Sequence, residues 1–226
     1  MTMIAGNLQV VRGRIDAACR AAGRDPAGVR LLAVSKTFGV DAIRAALAAG
    51  QTCFGENYIQ EAVDKIVALR GMAIEWHCIG LIQSNKTRLV AEHFNWVQSL
   101  DRPKIAERLH AQRPAHLPPL QVCIQVNTDG GPTKAGVAPA DVAALAEAVR
   151  SLPRLRLRGL MTIPEPAADF AAARALHARA LELFEALNAG GLGLDTLSMG
   201  MSADLDAAID AGSTMVRVGT AIFGGR

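Results

Sequence analysis

LLAVSKTFGVDAIRAALAAGQTCFGENYIQEAVDKIVAL, residues 31–69, holds one pattern twice: a short β-rich run, then an alanine-rich helical stretch. LLAVS (31–35) is expected as a strand, VDAIRAALAAG (40–50) as a helix closed by Gly50, TCFG (52–55) as a second strand and Tyr58–Leu69 as a second helix. The alternation continues along the chain. IEWHCIG (74–80), WVQSL (96–100), LQVCIQVN (120–127), LRLRGLMTI (155–163), TLSMG (196–200) and MVRVGTAIF (215–223) are the other strand candidates. Helices are expected from near Ser84, from Pro103 (a favoured first-turn proline), from Pro139 to Val149, from Ala168 to Asn188 and from Ala203 to Ala211. Several strands are nearly continuous apolar runs, as in parallel sheets covered by helices. The order predicts an α/β fold, a closed (β/α)8 TIM-type barrel, with an open doubly wound sheet as the alternative. No GxGxxG follows the first strand, which argues against a dinucleotide site. Upstream, Ile4, Leu8, Val11, Ile15 and Ala18 share one face of an extra N-terminal helix.

The chain has 226 residues, half of them hydrophobic, enough to bury a core without metal or disulfide staples. One domain over 1–226 is expected, because no linker, repeat or low-complexity segment interrupts it. The net charge of +3 is small and the basic residues are scattered, so no nucleic-acid partner is expected. Arg154, Arg156 and Arg158 alternate with Leu155 and Leu157, which reads as a strand with one wet face. Cys19, Cys53, Cys78 and Cys123 form no CxxC pair and are read as reduced, mostly buried thiols. No apolar stretch is long enough to cross a bilayer, and the N-terminus lacks the form of a secretory signal, so the cytoplasm is expected.

In a barrel, functional residues gather at the C-terminal ends of strands and in the loops that follow. That rule selects Lys36, Glu56, Asn57, Gln83–Lys86, Ser99, Asp101, Asn127, Met161, Thr162, Ser198–Ser202 and Arg217–Thr220. Lys36 follows LLAVS directly, so its amine reaches the mouth of the barrel, where desolvation favours the neutral nucleophile. The plain alternative is a lysine reaching for solvent from a strand end. In SMGMSADL (198–205) a glycine bend leads to Ser202 ahead of a helix, a place that attracts phosphate or simply takes an N-cap serine. Gly219 permits close approach to the backbone and Thr220 can donate from N–H and hydroxyl; loops after strands seven and eight are the recurrent phosphate site of this fold. GGPTKAG (130–136) is not a P-loop, since no glycine directly precedes Lys134 and Ala135 replaces the Ser/Thr. His77, His93, His110, His116 and His177 lack metal-ligand spacing, no metal is expected, and His77 reads as a hydrogen-bonded core residue.

VSKTFGVDAI (34–43), CFGENYIQEAVDKI (53–66), EWHCIGLIQSNKTRLV (75–90), SLDRPKIAERL (99–109), GLMTIP (159–164) and LSMGMSADLDAAIDAGSTMVRVGTAIFG (197–224) resemble, in order and from nearly end to end, the pyridoxal 5′-phosphate (PLP) homeostasis proteins. The resemblance implies a barrel like the N-terminal domain of bacterial alanine racemase, with PLP as a covalent Schiff base on Lys36. It further implies that Ser202, Gly219 and Thr220 bind the phosphate and that Arg217 faces the pyridine nitrogen. Asn57 would lie near the ring or its phenolic oxygen, and Met199, Gly200 and Met201 would line the phosphate side. Cys78, Leu81 and the loop TDGGPTKAGV (128–137) depart from the pattern of many relatives without removing an anchor.

A guanidinium beside the ring nitrogen disfavours its protonation and weakens the ring as an electron sink. A racemase also needs acid/base groups on both faces of the substrate α-carbon. Lys36 can serve one face, while the only tyrosine, Tyr58, is expected in the helix after strand two. The expectation is therefore a PLP carrier without steady turnover, acting transiently with apo PLP-dependent enzymes, with no membrane partner and as a monomer, since no second domain follows strand eight. A PLP-dependent amino-acid racemase and a phosphate-sugar isomerase-type barrel without PLP are the alternatives. Lys65, Lys86, Lys104 and Lys134 are read mostly as solvated surface lysines, with a secondary PLP site on one of them as the alternative.

Overall fold

In the computed structural model, residues 2–131 and 135–225 are described. Eight parallel strands close into a barrel in chain order: β1 (Arg30–Val34), β2 (Cys53–Glu56), β3 (Glu75–Cys78), β4 (Trp96–Leu100), β5 (Leu120–Val126), β6 (Leu155–Thr162), β7 (Thr196–Ser198) and β8 (Met215–Val218). Closure is made by β8 against β1, where Arg30 lies opposite Met215 and Ala33 opposite Val218. The open sheet is thereby ruled out, and the expected barrel stands. Helices follow the strands on the outside: α2 (Val40–Ala48), α3 (Ile59–Ala68), α4 (Thr87–His93), α5 (Pro103–Gln112), α6 (Val142–Arg150), α7 (Phe170–Ala189), α8 (Leu205–Asp210) and α9 (Thr220–Phe223). None is long and apolar enough to cross a membrane among the described residues.

The extra N-terminal helix is α1 (Met3–Ala21), which buries Leu8, Val11, Ile15 and Cys19 along one stripe. Arg12 ties it to the Ala49 carbonyl at 2.9 Å and Asn7 to the Ile222 carbonyl at 2.9 Å, so it packs across the seam where the barrel closes. All four cysteines are free thiols, and burial pushes Cys78 and Cys123 up to about 12.

Several boundaries differ from expectation, four of them for local reasons. β8 stops at Val218, because Gly219 (φ −117, ψ −72) turns the chain into α9, so Ala221–Phe223 are helical rather than extended. The helix expected from Ala203 begins at Leu205 with Asp204 as its cap. The helices expected from Ser84 and Pro139 both open with 3-10 turns, Ser84–Lys86 and Pro139–Asp141.

Alternation along the strands sets two layers of core. Outward residues such as Phe54, Val97, Ile124 and Leu160 pack beneath the helices. Trp96, Cys123 and Met161 form a separate cluster, and His77 stacks on Trp96 with centroids 5.1 Å apart. The N-terminal end of the barrel is closed by charge. Arg30 binds Glu75 at 2.6 Å, and Arg158 binds Asp195 at 2.7 Å while lying 4.8 Å over the Trp96 ring. Arg156 is exposed and Arg158 half-buried, so the wet face expected of 154–158 is only partly wet.

Candidate functional site

At the opposite end, the residues singled out in the sequence converge. Lys36, Asn57, Met201, Ser202, Arg217, Gly219 and Thr220 line one cleft of about 420 Å³ at the C-terminal mouth. Met199 and Gly200 stand differently. The Met199 side chain is wholly buried in the core, and Gly200, at φ +92, makes the bend that carries the chain from β7 to the cleft. A Cβ there would lie 2.4 Å from that of Ala208, so the bend also depends on close packing. At Gly219 a Cβ would come within 3.1 Å of the Val34 carbonyl; the close approach observed is that of β1 itself.

Lys36 is half-buried, and its amine makes no hydrogen bond or ion pair among the described residues. Its backbone is held firmly. Thr37 adopts φ +67, an uncommon left-handed conformation for a β-branched residue. Its N–H donates to Glu61 Oε1 at 2.7 Å. Lys65 donates to that same oxygen at 2.5 Å, to Glu56 Oε1 at 2.8 Å and to the Ser35 carbonyl at 2.9 Å. Both neighbours of Lys36 are therefore clamped by α3 and β2. Burial raises the Glu56 carboxyl, against the pull of Lys65 and the Ser35 hydroxyl. Lys65 was expected at the surface with the other lysines; it is buried and fully engaged, and so has no free amine for a secondary PLP site. Lys134 lies outside the described residues. Glu61 and Lys65 are the site residues that the sequence reading missed, although their i,i+4 spacing beside CFGEN is the one local signal they carry.

Across the cleft, Arg217 is 4 % exposed and has no carboxylate partner among the described residues. It donates to Ser198 Oγ at 2.8 Å and to the Thr162 carbonyl at 2.7 Å, and burial pulls its guanidinium down to about 10. The loop bearing Ser202 is braced from both sides. Arg14 of α1 donates to the Ser202 carbonyl at 2.6 Å and pairs with Asp206. Asp204 accepts the Met201 N–H at 2.7 Å and binds His177 of α7 at 2.9 Å. Ser202 is thus not the helix cap, and its hydroxyl is left for the cleft.

The residues fit a phosphorylated ring with an acceptor atom. A buried cation without a counter-ion is costly unless a ligand supplies an acceptor, and the Asn57 Oδ1 in the cleft wall is buried with no partner among the described residues. A metal reading fits less well. Cys53, Glu75 and His77 bring donor atoms within 4.8 Å of one another at the far end of the barrel, but Arg30 already sits there, 2.9 Å from Cys53 Sγ. His77 is wholly buried and hydrogen-bonded, as its place inside a strand suggested.

Fold and cleft together define a (β/α)8 barrel with an amine, a buried guanidinium and a wall of hydroxyl and glycine residues at its mouth. The family described as "Alanine racemase, N-terminal domain" matches residues 7–226. A Pseudomonas aeruginosa protein named "Pyridoxal phosphate homeostasis protein" is 61% identical over 226 residues, covering 100% of this chain and 97% of that one. PipY of Synechococcus elongatus, solved with PLP bound, is 38% identical, with a TM-score of 0.85 over 98% of this chain and 100% of its own. Alanine racemase of Corynebacterium glutamicum, at 19% identity, shares the fold with a TM-score of 0.70, and this chain covers 61% of it. The chain belongs to the pyridoxal phosphate homeostasis protein family, within the alanine racemase N-terminal domain fold.

Proposed function

We propose that this protein binds PLP in the mouth cleft, with Lys36 holding its aldehyde carbon as a Schiff base, and serves PLP homeostasis as a carrier. The observation that carries the reading is the meeting, in one cleft, of an amine and a buried guanidinium that have no carboxylate partner among the described residues with the Ser202–Gly219–Thr220 wall, in a family that includes a PLP-bound relative. When bound, PLP supplies an aldehyde reactive towards amines and a ring able to withdraw electrons. The chain's own residues divide the remaining tasks. Ser202 and Thr220 offer hydroxyls to the phosphate beside Gly219, with Met201 and the Met199–Gly200 bend shaping that side. Arg217 donates to the ring nitrogen and, as a fixed cation, keeps it unprotonated. Asn57 meets the ring with its side-chain amide.

A carrier fits better than a racemase because of what surrounds Lys36. Among the described residues, every other side chain lining the cleft is aliphatic, thioether, hydroxyl, amide or guanidinium, so none of them offers a second group to take or give a proton near neutral pH. Tyr58 heads α3, is 54% exposed and does not line the cleft. We treat 1–226 as one PLP-binding domain, working in the cytoplasm, where its four free thiols stay reduced, and meeting apo PLP-dependent enzymes transiently. Light scattering of purified protein checks the expected monomer.

The test is the visible spectrum of purified protein with PLP, then borohydride reduction and peptide mapping. A band trapped on Lys36 is expected, without turnover of alanine or other amino acids. Labelling scattered over surface lysines would overturn the site, and steady racemisation lost in Lys36→Ala would overturn the carrier role.

A further inference from the structure

Barrel interiors of this kind are ordinarily filled by branched apolar side chains. Here buried polar residues form one chain of hydrogen bonds from the cleft to the far end of the barrel. Arg217 Nη1 donates to Ser198 Oγ at 2.8 Å, and Ser198 Oγ donates to Gln98 Oε1 at 2.7 Å. Gln98 Nε2 donates to His77 Nδ1 at 2.9 Å, and His77 Nε2 donates to Glu75 Oε1 at 2.8 Å. Glu75 is held in turn by Arg30 at 2.6 Å. His77, Gln98 and Ser198 have no solvent exposure.

The donors and acceptors admit one consistent direction. Burial disfavours a charged imidazole at His77, so with Nε2–H given to Glu75 its Nδ1 can only accept. Gln98 must then turn its NH2 towards His77 and its carbonyl towards Ser198. The Ser198 hydrogen is thereby committed to Gln98, and its lone pairs face Arg217. A flipped Gln98 would set its carbonyl against the Nδ1 lone pair, breaking the link to His77, and would leave the serine hydroxyl hydrogen without its acceptor.

We propose that Gln98, backed by His77, is a positioning residue: it fixes the Ser198 hydroxyl so that Arg217 presents a constant N–H to the ring nitrogen of the ligand. The proposal rests on the reading that the cleft holds PLP with Arg217 at that nitrogen. Gln98 does not line the cleft, and acts through Ser198 and Arg217.

The experiment uses the full chain loaded with PLP and reads two quantities, the position of the visible band and the rate of PLP release on dilution. Ser198→Ala, Gln98→Leu and Arg217→Met are compared with wild type and with Gln51→Leu. Gln51 is a buried amide outside the column that donates to the Leu31 and Cys53 carbonyls. Ser198→Ala and Gln98→Leu are expected to shift the band in the same direction as Arg217→Met and to speed release about tenfold, with Lys36 still labelled by borohydride. Gln51→Leu is expected to lower thermal stability and leave both readouts unchanged. If the two column variants keep the wild-type band and release while Arg217→Met loses them, the column is only filler and the proposal is overturned with the PLP reading intact. An Arg217→Met protein indistinguishable from wild type overturns it too. Failure of wild type to label at Lys36 removes the PLP reading beneath it. Should Gln98→Leu not fold, Ser198→Ala decides alone, since it removes a single oxygen.

Discussion

The two ends of this barrel handle positive charge in opposite ways. At the N-terminal end Arg30 and Arg158 each meet a carboxylate, and Arg158 also covers Trp96. At the C-terminal mouth Lys36 and Arg217 meet none among the described residues, although Arg217 is the most buried of the four. Charges that only close a structure are neutralised by the chain itself. Charges left unneutralised at a mouth mark where something else completes the electrostatics.

Lys36→Ala makes the harshest trial of that contrast. It is expected to abolish the borohydride-trapped label on the chain, with circular dichroism unchanged. Next comes Arg217→Met, expected to weaken PLP binding at least about tenfold, by equilibrium titration. The same variant should raise the melting temperature of PLP-free protein, because an unneutralised buried cation is replaced by a well-packed apolar chain. A fall in that melting temperature would break the contrast. Arg158→Ala should do the reverse, costing about 1–2 kcal/mol in urea unfolding while PLP titrates as in wild type.

The smallest effect concerns acid. Burial alone would raise the Glu75 carboxyl, but the His77 hydrogen bond and the Arg30 guanidinium outweigh it and hold it at about 2, below its ordinary 4.5. A carboxyl depressed in the folded state stabilises the fold above its ordinary value and loses that contribution as pH falls through the folded one. Denaturant midpoints measured between about pH 4.5 and 2 should therefore fall less steeply in Glu75→Gln than in wild type.

The alternation of strands and helices was legible because each strand is a short apolar run set off by polar or glycine-bearing turns; closure was decided only by the pairing of β8 with β1, since the order also allowed an open doubly wound sheet. AIF at 221–223 was not legible, since three apolar residues carry no period and only the turn at Gly219 makes them helical. Ser202 and Asp204 both suit a cap. Asp204 takes the position while its side chain binds His177 and the Met201 N–H, and the His177 contact is invisible at a distance of 27 residues in sequence. Lys36, Asn57, Ser202, Arg217, Gly219 and Thr220 could be placed, because strand ends must point to the mouth. The clamp of Glu61 on Thr37 and of Lys65 on Ser35 could not, because it exists only once α3 lies against β1. The Gln98–Ser198 contact likewise joins β4 to β7 across the interior, a pairing that no local pattern encodes.

The pairing of β1 with β8 also orders events in time. Lys36 follows β1, whereas Arg217 lies in β8 and Gly219 and Thr220 in the turn and helix after it. A nascent chain carries the reactive amine long before it carries the wall that would orient an aldehyde beside it. If Lys36 holds PLP as proposed, selective capture begins only when β8 docks, and a partly synthesised chain offers its lysine no better than any surface amine.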